Sequence, residues 1–285
     1  MTGIIDAHTH IWRRDSGDYA WITPSLAAID RDFGLDDLAA ERASLGVDRV
    51  VLVQAADTAG DTDRMLEEAA THPDVVGVVA WLPLDGPGLD DALERRLATG
   101  LVVGVRALIH DMADPEWVLR DDVAAGLDRV AAAGLSFDVV TSGPAALALV
   151  PRLVARHPSL RLVIDHLAKP PIGADAAALA HWSTLLRAAA ASPNVAAKLS
   201  GLASAVGDPA SWSVETLRPA VAEAVDAFGP ERLMFGGDWP VCLLAGGYTR
   251  TFAGLHEALD VSDEELAHIH HGTAARWYRL DERQR

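Results

Sequence analysis

Ile4-Ile5-Asp6-Ala7-His8-Thr9-His10 opens the chain as a short apolar run that ends in two histidines two positions apart. In a β-strand, side chains at positions i and i+2 point to the same face, so His8 and His10 can reach one cation or one polarised oxygen. Near the other end of the chain, Leu233-Met-Phe-Gly-Gly-Asp-Trp-Pro240 is a second apolar run that stops at the carboxylate of Asp238. If both strands end at the same mouth, the sequence predicts a site built from His8, His10 and Asp238.

Between these two stretches, apolar runs alternate with segments of helical periodicity. The predicted strands are 4–10, 49–54, 75–82, 101–108, 135–140, 161–166, 195–200 and 233–237. The predicted helices are 35–45, 61–71, 89–98, 115–133 (one or two helices), 145–157, 176–191, 216–228 with Pro219 in its first turn, and 262–278, which opens with a capping box of Ser262 and Glu265.

Eight solidly apolar strands that alternate with helices are typical of a parallel (β/α)8 TIM barrel. Two doubly wound halves would also alternate, but the chain has no Gly-x-Gly-x-x-Gly turn and no linker between halves. We therefore predict one barrel domain over residues 1–285.

Composition excludes several classes of protein. The chain has 285 residues, half of them apolar, and its 41 acidic and 24 basic residues give a net charge of −17. This charge repels nucleic acid and anionic membranes, and no apolar stretch approaches the roughly 18 residues of a membrane span. The single Cys242 cannot form an intrachain disulfide. We expect a cytoplasmic monomer or homodimer that binds neither nucleic acid nor membrane.

In a TIM barrel, the chemistry lies at the C-terminal ends of the strands. The predicted strands place a set of polar residues there: His8, His10, Gln54, Arg106, Asp138, His166, Lys198 and Asp238. The long segment 11–33 above the first strand adds Trp12 and Trp21, whose rings either wall a ligand pocket or pin the segment to the barrel. The sequence leaves open whether His110, Asp138 and Lys169 face the pocket.

Five other histidines are assigned to structural positions. His72 and His157 each precede a proline at a helix end and are predicted to be exposed. His268, His270 and His271 lie on the last helix, outside the barrel. Because no other metal ligand is placed beside these three, we predict packing or surface roles for them.

Several motifs stand in a fixed order along the chain. They are Asp6-Ala-His-Thr-His10 with Trp12, Asp18-Tyr-Ala-Trp21, Val51-Leu-Val-Gln-Ala55, Gly104-Val-Arg106, Val163-Ile-Asp-His-Leu-Ala-Lys-Pro170, Lys198-Leu-Ser-Gly201, Gly237-Asp-Trp-Pro240 and Gly272-Thr-Ala-Ala-Arg-Trp-Tyr278. This set resembles the amidohydrolase superfamily, and within it the sugar-lactonase branch that contains L-fuconolactonase, L-rhamnonolactonase and pyrone-dicarboxylate lactonase. The resemblance implies a metallo-dependent-hydrolase-like barrel that opens a sugar lactone, such as L-fucono- or L-rhamnono-lactone, to its aldonic acid.

The resemblance also implies a role for each matched residue. Asp238 would be the general base that takes a proton from the attacking water. His8, His10 and His166 would hold the lactone carbonyl oxygen, directly or through a divalent metal. A single Zn²⁺ on His8, His10 and Asp238 has the three-ligand count of a catalytic zinc site, although some lactonases of the branch work without metal.

A two-metal site is not expected. Binuclear members of the superfamily have a bridging Lys or Glu on strand four and histidines on strands five and six. Here strand four offers Arg106 and strand five offers Asp138, and only strand six keeps its histidine.

The predicted substrate-binding residues are Trp12, Trp21, Gln54, Arg106, Lys198 and Trp239. Aromatic faces and hydrogen-bonding groups suit a neutral polyol, whereas a dicarboxylate would call for several arginines. We therefore favour an aldonolactone, with the sugar and the ring size left open. Two other classes stay open: a metal-dependent decarboxylase of an aromatic acid, whose strand-five histidine is missing here, and a non-catalytic sugar-binding barrel.

Overall fold

Eight parallel strands form one sheet whose neighbours follow the order of the chain. The computed structural model describes residues 3–140, 143–206 and 212–283. The strands are β1 (Ile4–Thr9), β2 (Val47–Val53), β3 (Val75–Ala80), β4 (Val102–Ala107), β5 (Ser136–Val139), β6 (Arg161–Ile164), β7 (Val195–Leu199) and β8 (Leu233–Phe235). A parallel bridge between Thr9 and Trp239 brings the first and last strands together. The predicted (β/α)8 barrel is confirmed.

Helices lie between the strands and after the last one. They are α1 (Ala39–Leu45), α2 (Ala59–Thr71), α3 (Leu89–Leu97), α4 (Asp121–Ala132), α5 (Pro144–Leu147), α6 (Val150–Arg156), α7 (Ala176–Ala190), α8 (Val214–Phe228), α9 (Tyr248–Ala258), α10 (Asp263–Ala267), α11 (Thr273–Trp277) and α12 (Leu280–Arg283). None of the described helices is long and apolar enough to cross a membrane.

Alternate residues of each strand face the barrel interior, as the two-residue period of a strand requires. The interior core contains Ile5, Val51, Val103 and Met234, and Tyr278 packs into the same cluster. The indole of Trp277 donates to the carbonyl of Leu162 near the start of β6. The C-terminal segment therefore closes the N-terminal end of the barrel, opposite the predicted site.

Several predicted helices differ from the observed ones. Residues 145–157 form two helices, α5 and α6, and the segment 262–278 is divided into α10, a π-helical stretch (His268–Gly272) and α11. The predicted capping box is confirmed, because Ser262 and the side chain of Glu265 bond to each other's backbone N–H groups. Helix α9 was not predicted.

Two placements were wrong. Pro219 was expected in the first turn of its helix, but α8 begins at Val214 and Pro219 is its sixth residue. His157 was expected to be exposed, but its side chain is buried, with Nδ1 2.7 Å from a carboxylate oxygen of Asp128. The neighbouring helix supplies a partner for the imidazole, which sequence spacing does not reveal.

Candidate active site

His8 and His10 lie at the C-terminal end of β1, with their Nε2 atoms 3.1 Å apart. His10 Nδ1 lies 2.7 Å from the carbonyl oxygen of Val53 on the neighbouring strand. A carbonyl oxygen only accepts, so Nδ1 carries the hydrogen. In the neutral ring, Nε2 of His10 then presents a lone pair toward His8.

The end of β8 is drawn against β1 by Asp6. The Asp6 carboxylate accepts hydrogen bonds from the backbone N–H groups of His8 and Gly237 and from the hydroxyl of Tyr248, at 2.8–2.9 Å. A side chain at Gly237 would collide with Tyr248, so this approach requires glycine. As a result, Oδ1 of Asp238 lies 3.6 Å from His10 Nε2 and 3.8 Å from His8 Nε2.

A left-handed turn after β6 brings a third imidazole to the same carboxylate. The four residues His166–Lys169 all have positive φ, between 50° and 60°. His166 Nε2 lies 3.9 Å from Oδ1 of Asp238, and its Nδ1 lies 2.8 Å from the hydroxyl of Ser200. Asp238 is thus surrounded by three imidazoles from two strand ends.

A buried network of charges lies beneath the histidines. Lys198 Nζ lies 2.6 Å from Asp138, 3.0 Å from Asp165 and 3.1 Å from Nδ1 of His8. Arg106 donates to the other oxygen of Asp165 at 2.8 Å and lies 3.3 Å from Nε2 of His8. Two cations therefore balance two carboxylates in the interior, directly below the site.

The environment sets the charges of the groups in the site. Burial lowers the pKa of His8 well below its ordinary value, with Lys198 acting in the same direction. Burial also lowers the pKa of His166 to about 4. For Asp238, burial alone would raise the pKa, but the neighbouring His166 and His10 outweigh it and the pKa is lowered. At neutral pH the carboxylate is ionised beside neutral His8 and His166.

His10, His166 and Asp238 line a cavity of about 290 Å³. Its wall is formed by His10, Trp21, Ala55, Arg106, Leu108, His110, Val140, His166, Lys169, Gly201, Ser204, Ala205, Asp238, Val241 and Leu244. The predicted residues His10, Trp21, Arg106, His166 and Asp238 therefore share one cavity. His110 and Lys169 also face it, whereas Asp138 lies in the buried network.

Four predicted substrate-binding residues are buried behind this wall. The indole of Trp12 donates to the carbonyl of Arg31, and the ring of Trp239 packs edge-to-face on Phe33. Gln54 donates to Asp57 and to a backbone carbonyl, and Lys198 is enclosed by carboxylates. All four side chains contact other protein groups behind the cavity wall. That they bind substrate directly stays a prediction. His8, also fully buried, lies just behind His10.

The amidohydrolase family model matches residues 5–280. The chain belongs to the amidohydrolase family. It is 36% identical to an L-fucono-1,5-lactonase of Burkholderia ambifaria over an alignment of 287 positions that covers 99% of this chain and 97% of the relative.

Solved structures place this amidohydrolase close to a bacterial relative. A crystal structure of an amidohydrolase from Burkholderia multivorans with bound HEPES has a TM-score of 0.93, 33% identity and coverage of 98% of this chain and 100% of that one. A second crystal form of an amidohydrolase from that species, with the same identity and coverage and a TM-score of 0.91, contains bound zinc. A 2,6-dihydroxybenzoate decarboxylase, at 16% identity, a TM-score of 0.66 and coverage of 99% of this chain and 100% of that one, shares the fold alone.

The donor set of this amidohydrolase fits one divalent ion. The ligand atoms of His8, His10 and Asp238 lie within 4.8 Å of one another. Arginine only donates hydrogen bonds, so the contact of Arg106 with Nε2 of His8 is consistent with a lone pair on that nitrogen. Nδ1 of His8 lies 3.3 Å from Asp165, which accepts, and 3.1 Å from Nζ of Lys198, which donates, so either ring nitrogen of His8 can carry the hydrogen.

Sequence reasoning missed three residues that build the site. Asp165 holds Lys198 and Arg106, Ser200 contacts His166, and the hydroxyl of Tyr278 donates to Asp138 at 2.7 Å. Asp165 directly precedes His166, and Ser200 directly follows β7, so both strand-end signals were in the sequence. No such signal exists for Tyr278, because it reaches the network from the opposite end of the barrel.

Proposed function

We propose that this amidohydrolase opens a sugar lactone by attack of water, with Asp238 as the general base. The observation that carries the proposal is the ionised carboxylate of Asp238, which lies among three imidazoles and lines a cavity. The prediction of a hydrolase acting on a lactone is confirmed by the full-length similarity to an L-fucono-1,5-lactonase. The roles of single residues are part of the proposal.

Asp238 takes a proton from a water molecule as the water oxygen forms a bond to the lactone carbonyl carbon. The ester bond between this carbon and the ring oxygen then breaks, and the proton passes from Asp238 to the ring oxygen. The products are a carboxylic acid and a hydroxyl on one open chain, so one water is consumed for each lactone. The lowered pKa keeps Asp238 in the form that accepts the proton.

His8, His10 and Asp238 would hold one divalent ion, and we favour Zn²⁺ because the Burkholderia multivorans relative binds zinc. When bound, such an ion supplies positive charge at the carbonyl oxygen. The tautomer of His10 supports this assignment, since its Nε2 has no hydrogen to donate in the neutral ring. Polarisation by imidazoles alone is therefore the less favoured version of the sequence prediction.

The cavity suits a single sugar ring, because both polar and apolar side chains line it. Lys169 and the rings of His110 and Trp21 line the cavity beside Arg106, and they would contact the hydroxyl groups and the face of the sugar ring. Leu108 and Leu244 also line the cavity, and either side chain would offer an apolar surface to a methyl group. Its volume of about 290 Å³ is close to the roughly 300 Å³ at the lower end of small-molecule sites. We propose a deoxy-aldonolactone such as L-fucono-1,5-lactone, and a role in carbohydrate catabolism.

A pH-indicator assay on a panel of aldonolactones tests this proposal, with L-fucono-, L-rhamnono-, L-galactono- and D-arabinono-lactone each measured with and without a chelator. We expect fastest acid release on a deoxy-lactone, loss of activity after chelation and recovery with Zn²⁺. Activity that survives chelation would remove the metal from the proposal. Sugar binding without turnover would support a binding barrel, and carbon dioxide release from an aromatic acid would support a decarboxylase.

A further inference from the structure

The hydroxyl of Ser200 lies against the imidazole of His166. Ser200 directly follows β7 and is buried, and its Oγ lies 2.8 Å from Nδ1 of His166. The other ring nitrogen, Nε2, lies 3.9 Å from Oδ1 of Asp238, and both of these residues line the cavity. The imidazole therefore lies between a serine hydroxyl and the proposed general base.

The hydrogen-bond partners of Ser200 indicate which group donates. In the part of the chain that the structure describes, Nδ1 of His166 is the one partner of the Ser200 hydroxyl. If Nδ1–H donated, the hydroxyl hydrogen would have no acceptor among these protein groups. A buried polar hydrogen without an acceptor is unfavourable, so the arrangement in which the hydroxyl donates and Nδ1 accepts is preferred.

The charge of Asp238 favours the same arrangement. When Nδ1 of the neutral His166 ring accepts, the ring hydrogen is on Nε2, the nitrogen near the carboxylate. A hydrogen at this position is attracted to the ionised carboxylate, whereas a lone pair would be repelled by it. At 3.9 Å the two groups are too far apart to form a hydrogen bond with each other, so Nε2–H can donate to a bound ligand.

The backbone holds the two residues in place independently of this hydrogen bond. The left-handed turn that begins at His166 is fixed by the indole of Trp182, which donates to the carbonyl of Leu167 at 2.9 Å. Ser200 packs closely against β8, since a Cβ at Gly236 would lie 2.9 Å from the Cβ of Ser200. Loss of the hydroxyl should therefore change the ring hydrogen more than the position of the ring.

We propose that Ser200 is a positioning residue that keeps the ring hydrogen of His166 on Nε2. His166 is then a neutral hydrogen-bond donor beside the general base. Negative charge develops on the carbonyl oxygen of a lactone when water attacks, and a donor fixed near this oxygen stabilises the transition state. The catalytic consequence rests on the proposed lactonase function, whereas the position of the ring hydrogen does not.

NMR spectroscopy of the full chain with 15N-labelled histidine measures the ring hydrogen directly, through long-range couplings between ring protons and ring nitrogens. The signals of His166 are those missing from the spectrum of His166→Gln. We expect the Nε2–H form in the wild type at neutral pH, with and without added Zn²⁺, and loss of this preference in Ser200→Ala. The proposal would be overturned by an Nδ1–H form in the wild type, by loss of the Nε2 hydrogen on addition of Zn²⁺, or by an unchanged Nε2–H form in Ser200→Ala.

Steady-state kinetics on the best lactone measure the catalytic consequence. Ser200→Ala should lower kcat by about 10-fold with little change in KM, because the donor acts mainly on charge that develops in the transition state. The matched control is Ser183→Ala on α7, which removes a hydroxyl that donates to Glu223. It should keep the wild-type kcat. A wild-type kcat in Ser200→Ala, or equal losses in the two variants, would exclude the catalytic role of Ser200.

The two measurements separate this proposal from the lactonase proposal. If the wild type hydrolyses no lactone, the lactonase proposal fails, but the NMR spectra still show whether Ser200 sets the ring hydrogen of His166. Circular dichroism checks that each variant folds. If Ser200→Ala does not fold, the wild-type spectrum alone still decides between the Nε2–H form that supports the proposal and the Nδ1–H form that overturns it.

Discussion

Asp238 is proposed as the general base because of the imidazoles that surround its carboxylate. Nitrogens of His8, His10 and His166 lie 3.6–3.9 Å from its Oδ1, and the pKa of the carboxyl is lowered despite its burial. A buried carboxylate that stays ionised beside neutral imidazoles can accept a proton from water. Its left-handed backbone, with φ of 52°, directs the side chain to the mouth of the barrel.

Asp238→Asn should lower kcat on the best lactone by at least about 10³-fold, because the amide keeps the shape and removes the proton acceptor. Steady-state kinetics and circular dichroism measure the two effects. The matched control is Asp226→Asn on the exposed face of α8, which should keep wild-type activity. An Asp238→Asn enzyme with the wild-type kcat would exclude Asp238 as the base.

The pH profile of kcat/KM follows from the same residues. The pKa of Asp238 lies below its ordinary 3.8, and that of His166 is about 4. As the pH falls from 8 to about 5.5, Asp238 stays ionised and His166 stays neutral. We therefore expect a level profile over this range and a decline below about pH 4.5. A pH-stat assay measures it. A decline centred near pH 6.5 would instead indicate a histidine with an ordinary pKa.

The left-handed turn after β6 could not be predicted from local sequence. The sequence predicted a strand through His166, but β6 ends at Ile164 and four residues follow with positive φ. Left-handed backbone costs roughly 1–2 kcal/mol for each non-glycine residue, so no local propensity favours it. Contacts made by the folded barrel, such as that of His166 with Ser200, select the turn.

Helix α9, in contrast, could have been predicted, because its apolar residues have helical spacing. Tyr248, Phe252 and Leu255 recur at helical spacing, and Tyr248 and Leu255 are buried while Phe252 packs against the core. No helix was predicted in this segment. By contrast, the π-helical stretch packs against β1 and β8 and has no sequence pattern of its own.

Gly201, two residues after the end of β7, has φ of 61°, and a Cβ there would lie 2.7 Å from Nδ1 of His166 and 2.8 Å from Oδ2 of Asp238. Gly201→Ala should therefore displace the two site residues and lower kcat by about 10²-fold or more. Gly100→Ala is the matched control, because Gly100 has φ of 72° with open space around it. Each substitution puts alanine at positive φ, which should cost roughly 1–2 kcal/mol of folding free energy. The close contacts at Gly201 should add to that cost, and only Gly201→Ala should lose activity. Kinetics and urea unfolding of both variants check this, and equal activity losses would contradict it.

The charge network joins the barrel across four strands. Arg106 on β4, Asp138 on β5, Asp165 after β6 and Lys198 on β7 meet in the interior, and Tyr278 reaches Asp138 from the C-terminal segment. The sequence identified Arg106, Asp138 and Lys198 as strand-end residues. It could not pair them, because their contacts form only when strands about 60 residues apart close into one barrel.

Lys198→Met should destabilise the protein by roughly 3–5 kcal/mol, since it leaves a buried carboxylate pair with too little positive charge. Lys198 has no solvent exposure and lies within 3.0 Å of both Asp138 and Asp165. Urea unfolding measures the change. Arg187→Met, which removes a half-exposed partner of Glu223 and Asp226, is the control and should change stability little.

The loss of folding stability in Lys198→Met should also depend on pH. In the wild type, burial alone would raise the pKa of Asp165, but Lys198 and His8 outweigh it and hold the pKa well below 3.8. Without Lys198, burial should prevail and raise the pKa above that of the unfolded chain. The folded variant then gains protons before the unfolded chain does, so its stability relative to wild type should rise as the pH falls from 8 toward 5. A stability difference between the two proteins that stays constant or widens over this range would show that the carboxylates do not carry the charge assigned to them.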